Sequence, residues 1–96
     1  MEQPSMFTVD ANSTPVRVSG EIDMSTAPLL LDAMLQSESS EIDLSGITFM
    51  DSTGLHALID LKTLRPSLRI VAASPAVRRL VQLTGLAEHL RVDIDV

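Results

Sequence analysis

The chain has 96 residues, a formal net charge of −6 at pH 7, no cysteine and two aromatic residues, while 45% of its residues are hydrophobic. This length and hydrophobicity predict one small domain, residues 1–96, with an aliphatic core. Without cysteine, disulfides and Cys-ligated zinc are excluded. Because there is almost no aromatic surface for stacking bases, we do not expect binding of single-stranded nucleic acid.

The charge is unevenly distributed along the chain. Residues 1–60 contain ten acidic side chains and one basic one, a charge of −9, whereas residues 61–96 contain three acidic and six basic ones, a charge of +3. The acidic part argues against a DNA partner and favours a basic protein surface, although acidity also simply aids solubility. The N-terminus does not resemble a signal peptide, and no apolar run reaches about 18 residues. We therefore expect a cytoplasmic protein without membrane insertion.

The first part of the chain predicts a hairpin. Residues 6–9 and 16–19 alternate between apolar and polar side chains, as strands do, and a turn-forming cluster separates them. Residues 20–25 then predict a loop that contains Asp23. From local chemistry alone, Asp23 is a turn residue or a cap for the next element.

A helix is predicted after this loop. Ser25 or Thr26 is suited to cap it, and Pro28 falls in its first turn, where a missing N–H costs little. The predicted apolar stripe consists of Ala27, Leu30, Leu31, Met34 and Leu35.

The segment 41–64 predicts a strand, a tight connection and a second helix. Ile42 and Leu44 alternate with acidic residues, and residues 47–50 continue as an apolar run. The following helix is predicted to begin at Asp51 or Ser52. Its apolar stripe is Leu55, Leu58, Ile59, Leu61 and Lys62, and its solvent-facing stripe is Ser52, His56, Asp60 and Thr63.

Ser52 therefore lies at the positive end of a predicted helix. Free backbone N–H groups and the macrodipole at such an end can accommodate a phosphate. Two interpretations remain open from local chemistry: Ser52 is only an N-cap, or its hydroxyl accepts a phosphoryl group.

The last part of the chain predicts a strand, a helix and a final strand. Residues 68–73 are almost continuously apolar, which is typical of a strand buried on both faces. Ser74 and Pro75 begin a helix, Gly85 ends it, and residues 90–96 alternate as a strand. The predicted order is β-β-α-β-α-β-α-β, an α/β domain with a mixed sheet and helices packed on it.

Catalytic and cofactor sites are not supported by the residues. Asp51, Ser52 and His56 are the residue types of a hydrolytic triad, but Asp51 is adjacent to Ser52 and cannot orient His56. His56 and His89 are the only histidines, and the four glycines are too dispersed for a phosphate-binding loop. We predict a protein that is not an enzyme and binds no cofactor or metal.

Three segments of the chain resemble the STAS domain family of sulphate transporters and anti-sigma-factor antagonists. Residues 42–61, IDLSGITFMDSTGLHALIDL, are similar to its phosphorylation segment. Residues 20–23, GEID, resemble its "GELD" segment, and residues 73–80, ASPAVRRL, together with residues 83–86, LTGL, resemble its "SPAVKRL…SGL" segment. Together the segments extend from about residue 6 to about residue 92. The family usually has a further helix after the last strand, and here that helix is expected to be missing.

The resemblance implies a non-enzymatic anti-sigma factor antagonist. Its partner would be an anti-sigma factor with serine kinase activity, which brings the ATP, and a phosphatase would reverse the modification. The family's phosphorylated serine corresponds to Ser52. The expected partner-binding residues are Asp23, Asp51, Ser52, Thr53, Gly54 and His56.

Two further expectations follow from the resemblance. The alternative function is that of a small STAS subunit of a lipid-transporting ATPase, which docks onto the ATPase without any kinase. A last strand without its covering helix would expose apolar surface, so self-association is a further prediction.

Overall fold

The computed structural model describes residues 7–85, and its sheet has four strands in the order β1-β2-β3-β4. β1 pairs antiparallel with β2, whereas β2 with β3 and β3 with β4 are parallel pairs. The elements are β1 Thr8–Asp10, β2 Val16–Ile22, α1 Ala27–Gln36, β3 Glu41–Met50, α2 Ser52–Leu64, β4 Arg69–Ala73 and α3 Pro75–Thr84. The predicted order and mixed sheet are confirmed as far as α3, and the predicted last strand lies outside the described residues.

A single aliphatic core lies between the sheet and the helices. Along β2 every second residue, from Val16 to Ile22, is buried, and the intervening residues are exposed. The α1 and α2 helices pack against each other and against the strands, and α3 packs along β3 and β4. The largest fully buried side chains are Val16, Val18, Ile22, Leu30, Met34, Ile42, Leu44, Ile47, Leu58, Leu61 and Ile70. No helix within residues 7–85 has the length and hydropathy required to cross a membrane.

The central strand β3 is irregular, and its bulges change which of its side chains are buried. Its register with β2 shifts twice, so that three residues of β3 span two of β2 at the first shift and two span one at the second. Such bulges bend a strand and change which side chains face inward. Buried residues therefore recur every third position, at Leu44, Ile47 and Met50. Because β4 ends at Ala73, opposite Leu44, the second half of β3 pairs only with β2, and α3 packs beside it.

Two expectations about the N-terminal half are wrong. Residues 20–22 are strand and not loop, because they pair with β3, with Gly20 opposite Ile47 and Ile22 opposite Met50. Gly20 permits this with a φ of 103°, a value that residues with side chains rarely adopt. Leu35, predicted to belong to the buried stripe of α1, is 52% exposed.

The positions at which α1 begins and α3 begins and ends agree with the predictions. Thr26 occupies the N-cap position of α1, although its side chain makes no capping hydrogen bond. The Ser74 hydroxyl accepts a hydrogen bond from the Val77 N–H at the start of α3. Gly85 follows α3 in the left-handed conformation, with φ of 72°.

The β4 strand is less buried than predicted, since Val71 and Ala72 are only half-buried.

Candidate functional site

The predicted site residues lie at the carboxyl ends of β2 and β3. These neighbouring parallel strands end at paired residues, Ile22 and Met50. Asp23 and Asp51 are the next residues along each strand, and the Asp51 N–H donates to the Ile22 carbonyl at 3.3 Å. Because parallel strands end at the same edge of the sheet, Asp23 lies close to the start of α2.

Asp51 is the N-cap of α2. Its Oδ1 accepts hydrogen bonds from the Thr53 N–H at 2.9 Å and the Gly54 N–H at 3.3 Å, and its carbonyl accepts from the Leu55 N–H at 3.1 Å. The interpretation of Ser52 as the cap is therefore wrong, since the carboxylate next to it performs that task. The expectation of free N–H groups at this end is also wrong for Thr53 and Gly54.

Ser52 is the first residue of α2 and is exposed. None of the groups of residues 7–85 hydrogen-bonds its hydroxyl. His56, Asp60 and Thr63 continue the same exposed stripe along the helix, as predicted. The Ser52 hydroxyl is thus displayed to solvent at a fixed position, without a structural role in capping the helix.

Gly54 holds the start of α2 close to the sheet. A Cβ at this position would lie 2.6 Å from Met50 Cγ and 2.7 Å from Ile22 Cγ2, closer than carbon atoms pack. Gly54 is itself buried. This close approach of helix and strands explains the glycine of the DSTG segment on structural grounds, and it sets the position of Ser52 relative to the strand ends.

Asp23 is held in a tight turn before α1. Its Oδ1 accepts hydrogen bonds from the Ser25 hydroxyl at 2.7 Å, the Ser25 N–H at 2.9 Å and the Thr26 N–H at 3.2 Å. These hydrogen bonds, that of the Ser25 hydroxyl first, lower the pKa of Asp23 below its ordinary value. Asp23 is therefore an ionised, partly exposed carboxylate of defined orientation.

Thr26 stabilises this turn through two hydrogen bonds of its hydroxyl. The sequence patterns had identified it only as a possible cap. It is buried, its hydroxyl donates to the Glu21 carbonyl at 2.7 Å, and its Oγ1 accepts from the Asp23 N–H at 2.9 Å. The sequence does show a threonine three residues after an aspartate, a spacing that favours such a turn. It could not show the hydrogen bond to Glu21, because that bond requires β2 to extend as far as Ile22.

An apolar groove of about 510 Å³ lies beside the site, between the end of β3 and α3. Phe49, which is 48% exposed, lies on one wall, and the neighbouring bulge explains its outward position. The lining residues are Thr48, Phe49, Met50, Pro75, Ala76, Arg79, Leu80 and Leu83. This lining includes one charged side chain and neither a carboxylate nor a histidine, so the groove offers no acid–base pair for catalysis.

The site as a whole is a polar, acidic surface around an exposed hydroxyl. Ser52, Asp51, Asp23 and the exposed His56 lie at or near the strand ends, and Thr53 is half-buried in the first turn. In the part of the chain that the structure describes, no group of three or more acidic or histidine side chains is arranged to hold a metal ion. Modification or protein contact at Ser52 is the chemistry that this arrangement supports.

Comparisons with known proteins agree with this picture. The family model described as "Mlab, STAS domain" matches residues 5–92. An anti-sigma-B factor antagonist of Listeria monocytogenes is 30% identical over 92 residues, covering 86% of this chain and 81% of the relative. The protein of the same name from Bacillus subtilis is 32% identical over 89 residues, covering 84% and 82%.

A solved structure is similar over nearly the whole chain. It is the crystal structure of an anti-sigma factor antagonist from Mycobacterium paratuberculosis, with a TM-score of 0.68 and 32% identity, covering 98% of this chain and 89% of that one. The family resemblance and the α/β fold predicted from sequence are thereby confirmed. The relatives are regulators and not enzymes, which also confirms the prediction that this chain is not an enzyme.

Proposed function

The chain belongs to the STAS domain family, and on that premise we propose that it is an anti-sigma factor antagonist switched by phosphorylation of Ser52. The names of its relatives in Listeria and Bacillus, and of its structural neighbour, support the antagonist role. In this proposal the unmodified protein binds an anti-sigma factor and so frees the sigma factor. The anti-sigma factor is also the kinase and supplies the ATP, so this chain needs no cofactor, and all partners are cytoplasmic.

One observation carries the choice of Ser52. Its hydroxyl is exposed at the first position of α2, while Asp51 caps the helix. A kinase can therefore reach the oxygen without unfolding the helix, and modification removes no hydrogen bond among residues 7–85. Thr53, the nearest alternative hydroxyl, is half-buried.

The charge of the phosphate explains release. Phosphoserine adds about −1.5 to −2 charges at pH 7, next to the Asp51 carboxylate and on the same edge of the sheet as Asp23. A partner surface that fits the free hydroxyl must then accommodate a bulky dianion beside existing negative charge. Because the hydroxyl has no hydrogen-bond partner within residues 7–85, the cost falls on the interface and not on the fold. A phosphatase would restore binding.

The test is phosphorylation and binding with the cognate anti-sigma factor. With ATP, mass spectrometry should find one phosphate, at Ser52. Ser52→Ala should fold with a stability within about 0.5 kcal/mol of the wild type, as surface substitutions do, and should bind the partner. Ser52→Asp should also fold but bind more weakly.

The matched control is Thr53→Ala, which should leave the modification at Ser52 intact. Equal affinity of the Ala and Asp variants, with phosphate at another residue or at none, would contradict the switch. Association with a transport ATPase in place of an anti-sigma factor would instead support the alternative of a transporter subunit.

A further inference from the structure

We propose that Asp51 determines where a phosphate on Ser52 is placed: its carboxylate occupies the Thr53 and Gly54 N–H groups at the start of α2, so the phosphate stays outside the helix end and faces the partner. This inference rests on the proposed phosphorylation of Ser52. It concerns a positioning role for Asp51, which no local pattern distinguishes from an ordinary cap.

The hydrogen bonds around Asp51 support this role. An uncapped helix N-terminus attracts a phosphate through its free N–H groups and its partial positive charge. Here the Thr53 and Gly54 N–H groups already donate to Asp51 Oδ1, at 2.9 Å and 3.3 Å. A phosphate on the preceding residue would have to displace this carboxylate to use them.

The backbone of Asp51, from which the carboxylate extends, is held in place by two further hydrogen bonds. Its N–H donates to the Ile22 carbonyl in β2, and its carbonyl accepts from the Leu55 N–H inside α2. Asp51 is thus hydrogen-bonded to β2 through its N–H and to α2 through its carbonyl. The carboxylate also places a full negative charge at the helix end, which cancels the attraction that the macrodipole would exert.

Among residues 7–85, the other charged groups on the elements around Ser52 do not offer a substitute site. Asp23, at the end of β2, adds a second ionised carboxylate held by Ser25 and Thr26. His56 and Asp60 lie one and two turns along the exposed stripe of α2. On the α3 side, Arg79 lines the apolar groove. The phosphate charge is therefore left to solvent and to whatever surface approaches this edge.

The experiment installs phosphoserine at position 52 during translation, through a reassigned codon, so that no kinase is required. Proton–nitrogen NMR spectra then compare the modified and unmodified full chain. In the wild type the Thr53 and Gly54 amide protons should not move downfield on phosphorylation. In Asp51→Ala, which frees both donors, they should move downfield, as amides do when they donate to a phosphate.

Phosphorus NMR gives a second measurement, which reports the negative charge that Asp51 places beside the phosphate and not the capping hydrogen bonds. The second pKa of phosphoserine is ordinarily about 6. Asp51→Asn keeps an oxygen that can cap the helix but removes the charge, so the phosphate should titrate lower than in the wild type by about half a unit, the size expected for one adjacent charge near water. Asp60→Asn is the control with the same change in net charge, and its shift should be much smaller.

Two results would overturn the proposal. One is a downfield shift of the Thr53 and Gly54 amides in the phosphorylated wild type equal to that in Asp51→Ala. The other is a phosphate pKa that Asp51→Asn leaves unchanged, and this titration decides alone if the alanine variant does not fold. Because the phosphate is installed directly, either failure is separate from a failure of kinase recognition, which would show only in the partner assays.

Discussion

Replacing Gly54 by alanine tests the close contact that positions the start of α2. The added Cβ would lie 2.6 Å from Met50 Cγ and 2.7 Å from Ile22 Cγ2. Met50 has a flexible side chain, but Ile22 is fully buried and β-branched, so its methyl group has little room to move. The variant should therefore be strained where the helix meets the strand ends.

The magnitude follows from two opposing effects. Overpacking costs about 1–3 kcal/mol, and the upper part of that range, about 2–3 kcal/mol, applies here because Ile22 is fully buried and cannot move aside. Alanine in place of glycine in a helix returns about 1 kcal/mol through its higher helix propensity. We expect a net loss of about 1–2 kcal/mol in the free energy of unfolding, which lowers the Tm of a domain of this size by on the order of 10 °C.

Urea denaturation and thermal unfolding of the two proteins measure this loss. A double-mutant cycle with Met50→Ala isolates the contact, because removal of the Met50 side chain takes away one of the two clashing atoms. The cost of Gly54→Ala should be smaller in the Met50→Ala background. A Gly54→Ala protein as stable as the wild type, or more stable, would refute the close packing and the explanation of the glycine that rests on it.

Three further predictions concern the same framework. Asp51→Ala should lower the free energy of unfolding by about 1 kcal/mol through the lost cap, and Asp51→Asn by less, as urea denaturation will show. Because the pKa of Asp23 is lowered in the folded state, the ionised carboxylate stabilises the fold at pH values above its unfolded pKa of 3.8, and this stabilisation is lost as the pH falls through the folded pKa. Asp23→Asn should therefore flatten the acid side of the profile of unfolding free energy against pH. An unchanged profile would contradict the hydrogen-bonded turn. Leu30→Ala should cost about 2–5 kcal/mol, whereas Leu35→Ala, at a half-exposed position of the same helix, should cost much less, and equal losses would show that α1 is rotated.

Local sequence patterns determined the parts of the site that depend on neighbouring residues. The 3.6-residue period of α2 places Ser52 and His56 on the exposed face, and it does so in any fold that buries the leucines of that helix. Helix-capping chemistry likewise placed Ser74 at the start of α3 and Gly85 at its end, because these contacts extend over only three or four residues.

The tertiary structure decided what depends on contacts between distant segments. Residues 20–22 become a strand because β3 supplies hydrogen-bonding partners that local composition cannot reveal, and this extension brings Asp23 to the edge where Asp51 lies. The bulges of β3 turn Phe49 outward, although its sequence neighbours suggested an apolar run. At the DSTG segment, the patterns allowed either Asp51 or Ser52 to begin the helix. The backbone contacts of Asp51 with Ile22 and Leu55 make it the cap and leave the Ser52 hydroxyl unoccupied, since a choice between adjacent polar residues is made by geometry and not by composition.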